Sequence, residues 1–267
     1  MMRPIDPPPL PDEDIAPLAC SAVLTHHWLV RRRGGERVLE ALGELVPDSP
    51  IFTLVHDPAG LGDWPLARRP VHTSWLQHLP GARRQYPKLL PLMPNAARRM
   101  RLPPVELVVC SDAALAKAMT PDARSRVVCY CHSPMRYVWD LADEYGRTLP
   151  APLRPLWPAV CARLRAADRA AAQRVDVFVA NSRHVAERVR RHYGRDALVV
   201  HPPVDLPDAR GLRPPRREPY EPFELPPACA KDFHQFLVLQ PHYRPGKPVG
   251  YRSSSDILFV EGVHLME

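Results

Sequence analysis

The sequence predicts an α/β protein built on a single doubly wound parallel sheet of the Rossmann-like kind, followed by an irregular proline-rich tail. Short apolar runs of strand character recur up to Asp205, and segments of helical period or strong helix formers separate them. Neighbouring parallel strands must be joined by crossovers, which are usually helices, so this alternation favours a parallel sheet. From Pro202 onward prolines accumulate and the helical period disappears.

These changes in composition divide the chain into three regions. We expect a flexible lead-in over residues 1–19, a Rossmann-like domain over 20–205 and a proline-rich tail over 206–267. The tail is too short for a second domain of the usual size, about 100–200 residues. Two short strand-like runs, at residues 236–239 and 257–260, interrupt it.

Each element of the domain has a local signal. Apolar runs predict strands at residues 21–25, 51–55, 71–74, 105–110, 127–131, 175–180 and 198–201. Helical spacing or composition predicts helices at 36–46, at 159–174 and after Ser182, with a further helix capped by Ser111 or Asp112 and ending near Met119.

Residues 79–102 mix leucines and methionines with six basic side chains. Such a segment could rest on an acidic membrane surface, or it could be a proline-broken helix packed on the core. We favour packing on the core.

The loop after the strand at 127–131 carries the densest chemistry in the chain. It opens with His132, Ser133 and Pro134, and it continues with Arg136, two aromatic residues and Asp140. Proline cannot donate to a strand ladder, so the strand must end there. In open α/β sheets ligands bind beyond the carboxyl ends of the strands, so this loop is predicted to be the centre of the site.

A pair of glycines, Gly34 and Gly35, precedes the first predicted helix. Glycine lets the backbone approach a ligand closely, and a helix N-terminus favours an anion. A purely structural turn is the alternative. The pair does not form the G-x-G-x-x-G dinucleotide fingerprint, so NAD binding is poorly supported.

Composition restricts the function classes. A net charge of +7 and a pI near 9.3 indicate either an anionic partner or a surface rich in arginine. The arginines are scattered without a nucleic-acid recognition motif, so we expect no nucleic-acid partner. No apolar run approaches the ~20 residues of a membrane span, and the first residues do not resemble a signal peptide, so a cytoplasmic protein is expected.

The six cysteines are irregularly spaced and are expected to be reduced thiols. Cys129 and Cys131, two apart on one strand, should face the same side, and His132 lies next to them. A closed zinc site needs four ligands, and no second Cys/His pair stands at ligand spacing. We therefore expect no metal.

Four blocks of the sequence, in order, resemble the N-terminal, acceptor-binding half of glycosyltransferase family 4 enzymes of the GT-B fold, especially bacterial mannosyltransferase-like members. They are His27-Trp28 with Gly34, Gly35 and Glu36; PIFTLVHDP at 50–58; CYCHSPMRYVWD at 129–140; and ANSRHVAERVRRHYGRDALVVHPPVD at 180–205. The resemblance covers roughly residues 21–205.

The resemblance implies transfer of a hexosyl or mannosyl group from a nucleotide-sugar to a glycan or lipid-linked acceptor, with no cofactor or metal. GDP-mannose or a UDP-hexose would be the donor. If the basic segment at 79–102 rests on an acidic membrane surface, the protein would also make a peripheral contact at the inner membrane face. Gly34 and Gly35 would lie against the donor diphosphate, and His132 would be the catalytic residue that reaches the transferred sugar. The cleft would be lined by Ser133, Arg136, Asn181 and Ser182.

The nucleotide-sugar half of that fold is not recognisable after about Asp205. We therefore expect a chain that is truncated or divergent beyond that point. The alternative is a non-catalytic module that binds a sugar or phosphate, or a half-enzyme that needs a partner chain.

Overall fold

Seven short apolar strands align in one entirely parallel sheet. The computed structural model describes residues 17–203, and the expectations for residues 1–16 and 204–267 lie outside that range. The strands are β1 (Ala22–His26), β2 (Ile51–Thr53), β3 (Val71–Thr73), β4 (Leu107–Asp112), β5 (Arg126–Cys131), β6 (Val177–Ala180) and β7 (Ala197–Val199). The prediction of a Rossmann-like α/β sheet is confirmed, and all seven predicted strands are present within two or three residues.

The sheet order is β3-β2-β1-β4-β5-β6-β7. The chain therefore builds outward from β1 to one edge, returns to pair β4 with β1, and continues outward to the other edge. This reversal creates a topological switch point between β1 and β4, where ligands of doubly wound sheets commonly bind.

Six α-helices connect the strands of the described residues, together with several short 3₁₀ turns. The helices are α1 (Gly34–Leu45), α2 (Ala82–Gln85), α3 (Met93–Arg99), α4 (Ala142–Thr148), α5 (Trp157–Ala172) and α6 (Arg183–Tyr193). The prediction for α6 is confirmed in detail, because the Ser182 hydroxyl accepts the Val185 N–H and Gly194 ends the helix at φ +67°.

Two apolar clusters cover the two faces of the sheet. Val23 and Cys110 belong to the larger cluster, whereas Leu24 and Val109 belong to the smaller one. This alternation is the period of two expected for strands that are buried on both faces. Cys129 and Cys131 both lie in the larger cluster, so they face the same side as predicted.

The predicted helix from Ser111 or Asp112 to Met119 is wrong. Strand β4 continues through both residues, and only a 3₁₀ turn, Ala116–Ala118, follows. The Asp112 carboxylate accepts the backbone N–H groups of Ala114 and Ala116 at 2.9 and 2.8 Å and also binds Lys117 at 2.6 Å. These contacts fold the segment tightly back on the end of β4, which leaves no room for a regular helix.

The segment at 79–102 packs on the core, as favoured. It forms α2, a 3₁₀ stretch (Tyr86–Leu92) and α3. Met93, Ala96 and Ala97 are buried in the larger cluster. No helix within residues 17–203 is long and apolar enough to cross a bilayer.

Candidate functional site

The carboxyl edge of the sheet gathers polar side chains around the switch point. His26 is the last residue of β1, Ser111 and Asp112 end β4, and His132 follows β5 directly. The hydroxyl of Ser111 lies 3.0 Å from His26 Nδ1 and 2.8 Å from His132 Nε2. A single serine therefore joins the imidazoles of two strands.

The main chain at His132 is held on both sides. Its N–H donates to the Asp112 carbonyl at 2.8 Å, and its carbonyl accepts the side-chain N–H of Asn181 at 3.1 Å. His132 as a whole is partly exposed, and its Nδ1 has no hydrogen-bond partner among the described residues. The imidazole is thus fixed at one nitrogen and open at the other.

Burial lowers the pKa of His132 to about 4, and the neighbouring His26 adds to the effect. His132 is therefore neutral at pH 7. A neutral imidazole offers one donor and one acceptor nitrogen and no charge. Such a group can bind a hydroxyl but cannot act as a resident cation.

The N-terminus of α1 lies against these two imidazoles. Gly34 and Gly35 are the first two residues of the helix, not a separate turn before it, because Arg33 is already the N-cap. A Cβ on Gly35 would lie 3.7 Å from His26 Cε1 and 3.8 Å from His132 Nε2, which are ordinary contact distances, and a Cβ on Gly34 would meet nothing within 4 Å. A longer side chain at Gly35 would cover His132.

Glu36, in the same first turn, is buried. Its Oε2 accepts the Arg33 N–H at 2.9 Å, and its Oε1 lies 3.5 Å from His26 Nε2. Burial opposes ionisation of this carboxyl, but the contacts with His26 and the backbone N–H groups outweigh it and lower its pKa. The sequence analysis assigned no role to Glu36, His26 or Ser111 in this arrangement.

The predicted cleft residues Asn181 and Ser182 follow β6, and neither forms a hydrogen bond with the imidazole of His132. Asn181 holds the His132 carbonyl and accepts the Ser182 hydroxyl at 3.1 Å, while Ser182 also caps α6. Both side chains are engaged in organising the edge. Their predicted contact with substrate stays a prediction.

The predicted residues Ser133 and Arg136 have very different surroundings. The Ser133 hydroxyl donates to the Pro134 carbonyl at 2.7 Å and accepts from the buried Arg188 of α6, which also pairs with Asp140. Ser133 therefore ties the loop to α6. Arg136 is exposed and forms no side-chain hydrogen bond or salt bridge with residues 17–203, so its guanidinium is available to a ligand.

A buried charge cluster contacts the loop after β5 through Trp139. Lys117 Nζ lies 2.6 Å from Asp112 Oδ2 and 2.5 Å from Asp168 Oδ1, and the indole N–H of Trp139 donates to Asp168 at 2.8 Å. Burial raises the pKa of Asp168, whereas the two carboxylates raise that of Lys117 against the cost of burial. Trp139 thus connects the loop to a desolvated network.

The thiols and the surface hollows offer no further chemistry at this edge. The five cysteines among the described residues are free thiols, and burial raises the pKa of Cys129 and Cys131. Within residues 17–203 no group of three or more His, Cys, Asp or Glu side chains is arranged to hold a metal. A hollow of about 300 Å³ lies elsewhere, beside β3 and α3, with Trp75 and Arg99 in its lining.

The N-terminus of α1 and the neutral imidazole of His132 lie together at the switch point of a Rossmann-like sheet, where the ligands of such folds commonly bind. The sequence model of Glycosyltransferase Family 4 matches residues 32–207, which is more than half of the 267-residue chain. The chain belongs to glycosyltransferase family 4. No curated protein matches it.

Proposed function

We propose that the chain acts in hexosyl transfer, such as mannosyl transfer, from a nucleotide-sugar to a glycan or lipid-linked acceptor. The observation that carries this proposal is the geometry of His132: its Nε2 lies 2.8 Å from the Ser111 hydroxyl and beside the first turn of α1, and its Nδ1 has no hydrogen-bond partner among the described residues. GDP-mannose and a UDP-hexose are the candidate donors. Family membership supports a glycosyltransferase role, and the sugar and acceptor belong to the proposal.

Each predicted residue has a task that its surroundings permit. The free N–H groups at Gly34 and Gly35, with the helix dipole behind them, suit the donor diphosphate. The neutral ring of His132 suits a sugar hydroxyl. The exposed guanidinium of Arg136 can approach anionic oxygens in the two-pronged geometry that arginine favours.

In retaining transfer, the bond between the sugar carbon and the phosphate oxygen breaks and the diphosphate leaves with the electron pair. The sugar passes through an oxocarbenium-like state, the acceptor oxygen forms the new bond on the same face, and its proton goes to the departing phosphate. Donors aimed at the leaving phosphate lower this barrier because charge develops there. The first turn of α1 supplies such donors.

Calorimetry on the full chain with GDP-mannose and UDP-glucose tests the proposal. We expect one of them to bind. His132→Ala and Arg136→Ala should each weaken that binding roughly tenfold, the cost of a lost hydrogen bond to a charged or tightly held group. Gly35→Val should also weaken it, because the longer side chain would cover His132. His184→Ala, which removes an exposed imidazole on α6, is the matched control. Wild-type binding that all three substitutions leave unchanged would remove this edge from the site.

A second candidate is a non-catalytic sugar- or phosphate-binding module, or a half-enzyme that works with a partner chain. The observation behind it is that residues 17–203 form one sheet domain, whereas the GT-B resemblance implies a cleft between two. Release of free sugar from the donor by the purified chain favours the transferase. Donor binding without any release or transfer favours the module.

A further inference from the structure

The hydroxyl of Ser111 couples the protonation of two histidines. It lies 3.0 Å from His26 Nδ1 and 2.8 Å from His132 Nε2, and both Ser111 and His26 have no exposed surface. A hydroxyl carries one proton, so it can donate to only one of the two rings. The nitrogen of the other ring then faces a lone pair of the serine oxygen, where a second lone pair would be repelled, so that ring must donate to the serine oxygen. The tautomer of one ring fixes that of the other.

Glu36 determines whether the Ser111 hydroxyl donates to His26 or to His132. Its Oε1 lies 3.5 Å from His26 Nε2, which is long for a hydrogen bond but close for a charge. A nitrogen lone pair facing a carboxylate oxygen would be repelled, so the nitrogen facing Glu36 carries a proton. In the neutral ring His26 Nδ1 then holds the lone pair and accepts from Ser111, and the Ser111 oxygen accepts the Nε2–H of His132.

The carboxylate is held in place for this task. Its second oxygen, Oε2, accepts the Arg33 N–H at 2.9 Å, which closes the first turn of α1. Glu36 is only 5% exposed, so water does not compete for the oxygen that faces His26. The residue thus connects the start of α1 to the polar chain Glu36–His26–Ser111–His132.

We propose that Glu36 is a positioning residue that sets the tautomer of His132 through His26 and Ser111, so that the open Nδ1 of His132 presents a lone pair. A ligand group at that point must donate a hydrogen bond, as a sugar hydroxyl does, and a group that only accepts would be rejected. The nature of the ligand rests on the proposed function. The tautomer itself does not.

Nitrogen-15 NMR of the histidine rings in the full chain tests this inference. The signals of His132 are assigned by their loss in His132→Gln. In the wild type we expect a proton on Nε2 of His132 and none on Nδ1. In Glu36→Gln the amide oxygen can still accept the Arg33 N–H, and the amide N–H₂ then faces His26 Nε2. Every donor and acceptor along the series Glu36–His26–Ser111–His132 then reverses, and we expect the proton of His132 on Nδ1.

Two further variants test whether the change at His132 depends on Glu36 and passes through Ser111. Glu40→Gln makes the same chemical change one turn later, where Glu40 pairs with Arg32, and it should leave the His132 tautomer unchanged. Ser111→Ala removes the connection, so His132 should become a mixture of tautomers that no longer responds to Glu36→Gln. A single unchanged tautomer in Ser111→Ala would overturn the inference even if Glu36→Gln failed to fold.

Three further results would overturn the inference. They are a proton on Nδ1 of His132 in the wild type, two protons on the His26 ring, and a folded Glu36→Gln variant in which the His132 tautomer is unchanged. Calorimetry with the nucleotide-sugars on the same samples separates the two claims. Reversal of the His132 tautomer in Glu36→Gln without donor binding would contradict the proposed function and support this inference. Donor binding through His132 without reversal of the tautomer would support the proposed function and contradict this inference.

Discussion

At the scale of single residues, His132 is the candidate site residue whose protonation is changed most by its surroundings. Burial and the nearby His26 lower its pKa to about 4, so its ring is neutral at pH 7. The adjacent His27 is also buried, and burial lowers its pKa well below the usual value. Both residues keep positive charge away from this edge at neutral pH, which leaves Arg136 as the cation of the loop.

The lowered pKa of His132 predicts a pH dependence of stability. The unfolded chain binds a proton at the ordinary histidine value of about 6.5, whereas the folded chain binds it only near 4. The free energy of unfolding should therefore fall as the pH falls from about 6.5 to 4, by at most about 3 kcal/mol from this residue. Urea unfolding at several pH values measures it.

His132→Gln keeps a polar side chain but cannot titrate, so its unfolding free energy should vary less with pH over that range. His184→Gln on the exposed side of α6 is the matched control and should keep the wild-type slope. The pKa assignment is contradicted if His132→Gln and the wild type lose stability equally between pH 6.5 and 4. His27 contributes in the same direction in every variant.

Local signals at residue scale predicted where His132, Ser133 and Arg136 lie but not what surrounds them. The proline after Ser133 ends β5, and this is visible in the sequence. The contacts of His26 with Ser111 join residues 85 positions apart, and they depend on β1 and β4 being neighbours in the sheet. No local pattern carries that information.

At the scale of elements, helix ends and strand periods were predictable, and buried charge was not. Ser182 and Gly194 mark α6 by their own side-chain and backbone preferences. Lys117, in contrast, looks like a surface cation in the sequence, yet it is 5% exposed between Asp112 and Asp168. This cluster replaced the expected helix after Ser111 because a desolvated lysine must stay beside its carboxylates.

The segment of α2, the following 3₁₀ stretch and α3 supports a proposed peripheral membrane contact. Its buried residues pack on the core, and its exposed residues, taken together as its outer side, include six basic side chains and one leucine: Arg83, Arg84, Lys88, Leu92, Arg98, Arg99 and Arg101. Each cation near an anionic lipid surface contributes about 1 kcal/mol. We propose that this side faces the membrane when the acceptor is lipid-linked.

Co-sedimentation of the full chain with phosphatidylserine-containing vesicles tests this contact. Reversing three charges, in Arg83→Glu/Arg84→Glu/Lys88→Glu, should lower binding at least tenfold, and salt should weaken the wild type. The control reverses three exposed arginines elsewhere, in Arg124→Glu/Arg163→Glu/Arg191→Glu. Equal loss in both triple variants would mean that only total charge matters and would remove the proposed face.

At the scale of the described domain, the strand order makes the site. Only the return of the chain from β3 to β4 places His26 of β1 beside Ser111 of β4 and His132 after β5. The prediction of a parallel sheet is confirmed, and the general rule for such sheets places the candidate site at the carboxyl ends of the strands. The strand order is visible only in the folded structure. It brings Ser111 into contact with both His26 and His132, and His26 in turn lies beside Glu36.

The most direct test of the account is a titration of the full chain with GDP-mannose, and in parallel with UDP-glucose, while the ring signals of the histidines are followed by NMR. The account predicts that His132 shifts and saturates with the affinity measured by calorimetry, while the exposed His184 stays unchanged. Saturable binding of either donor that leaves the His132 ring unperturbed would contradict it.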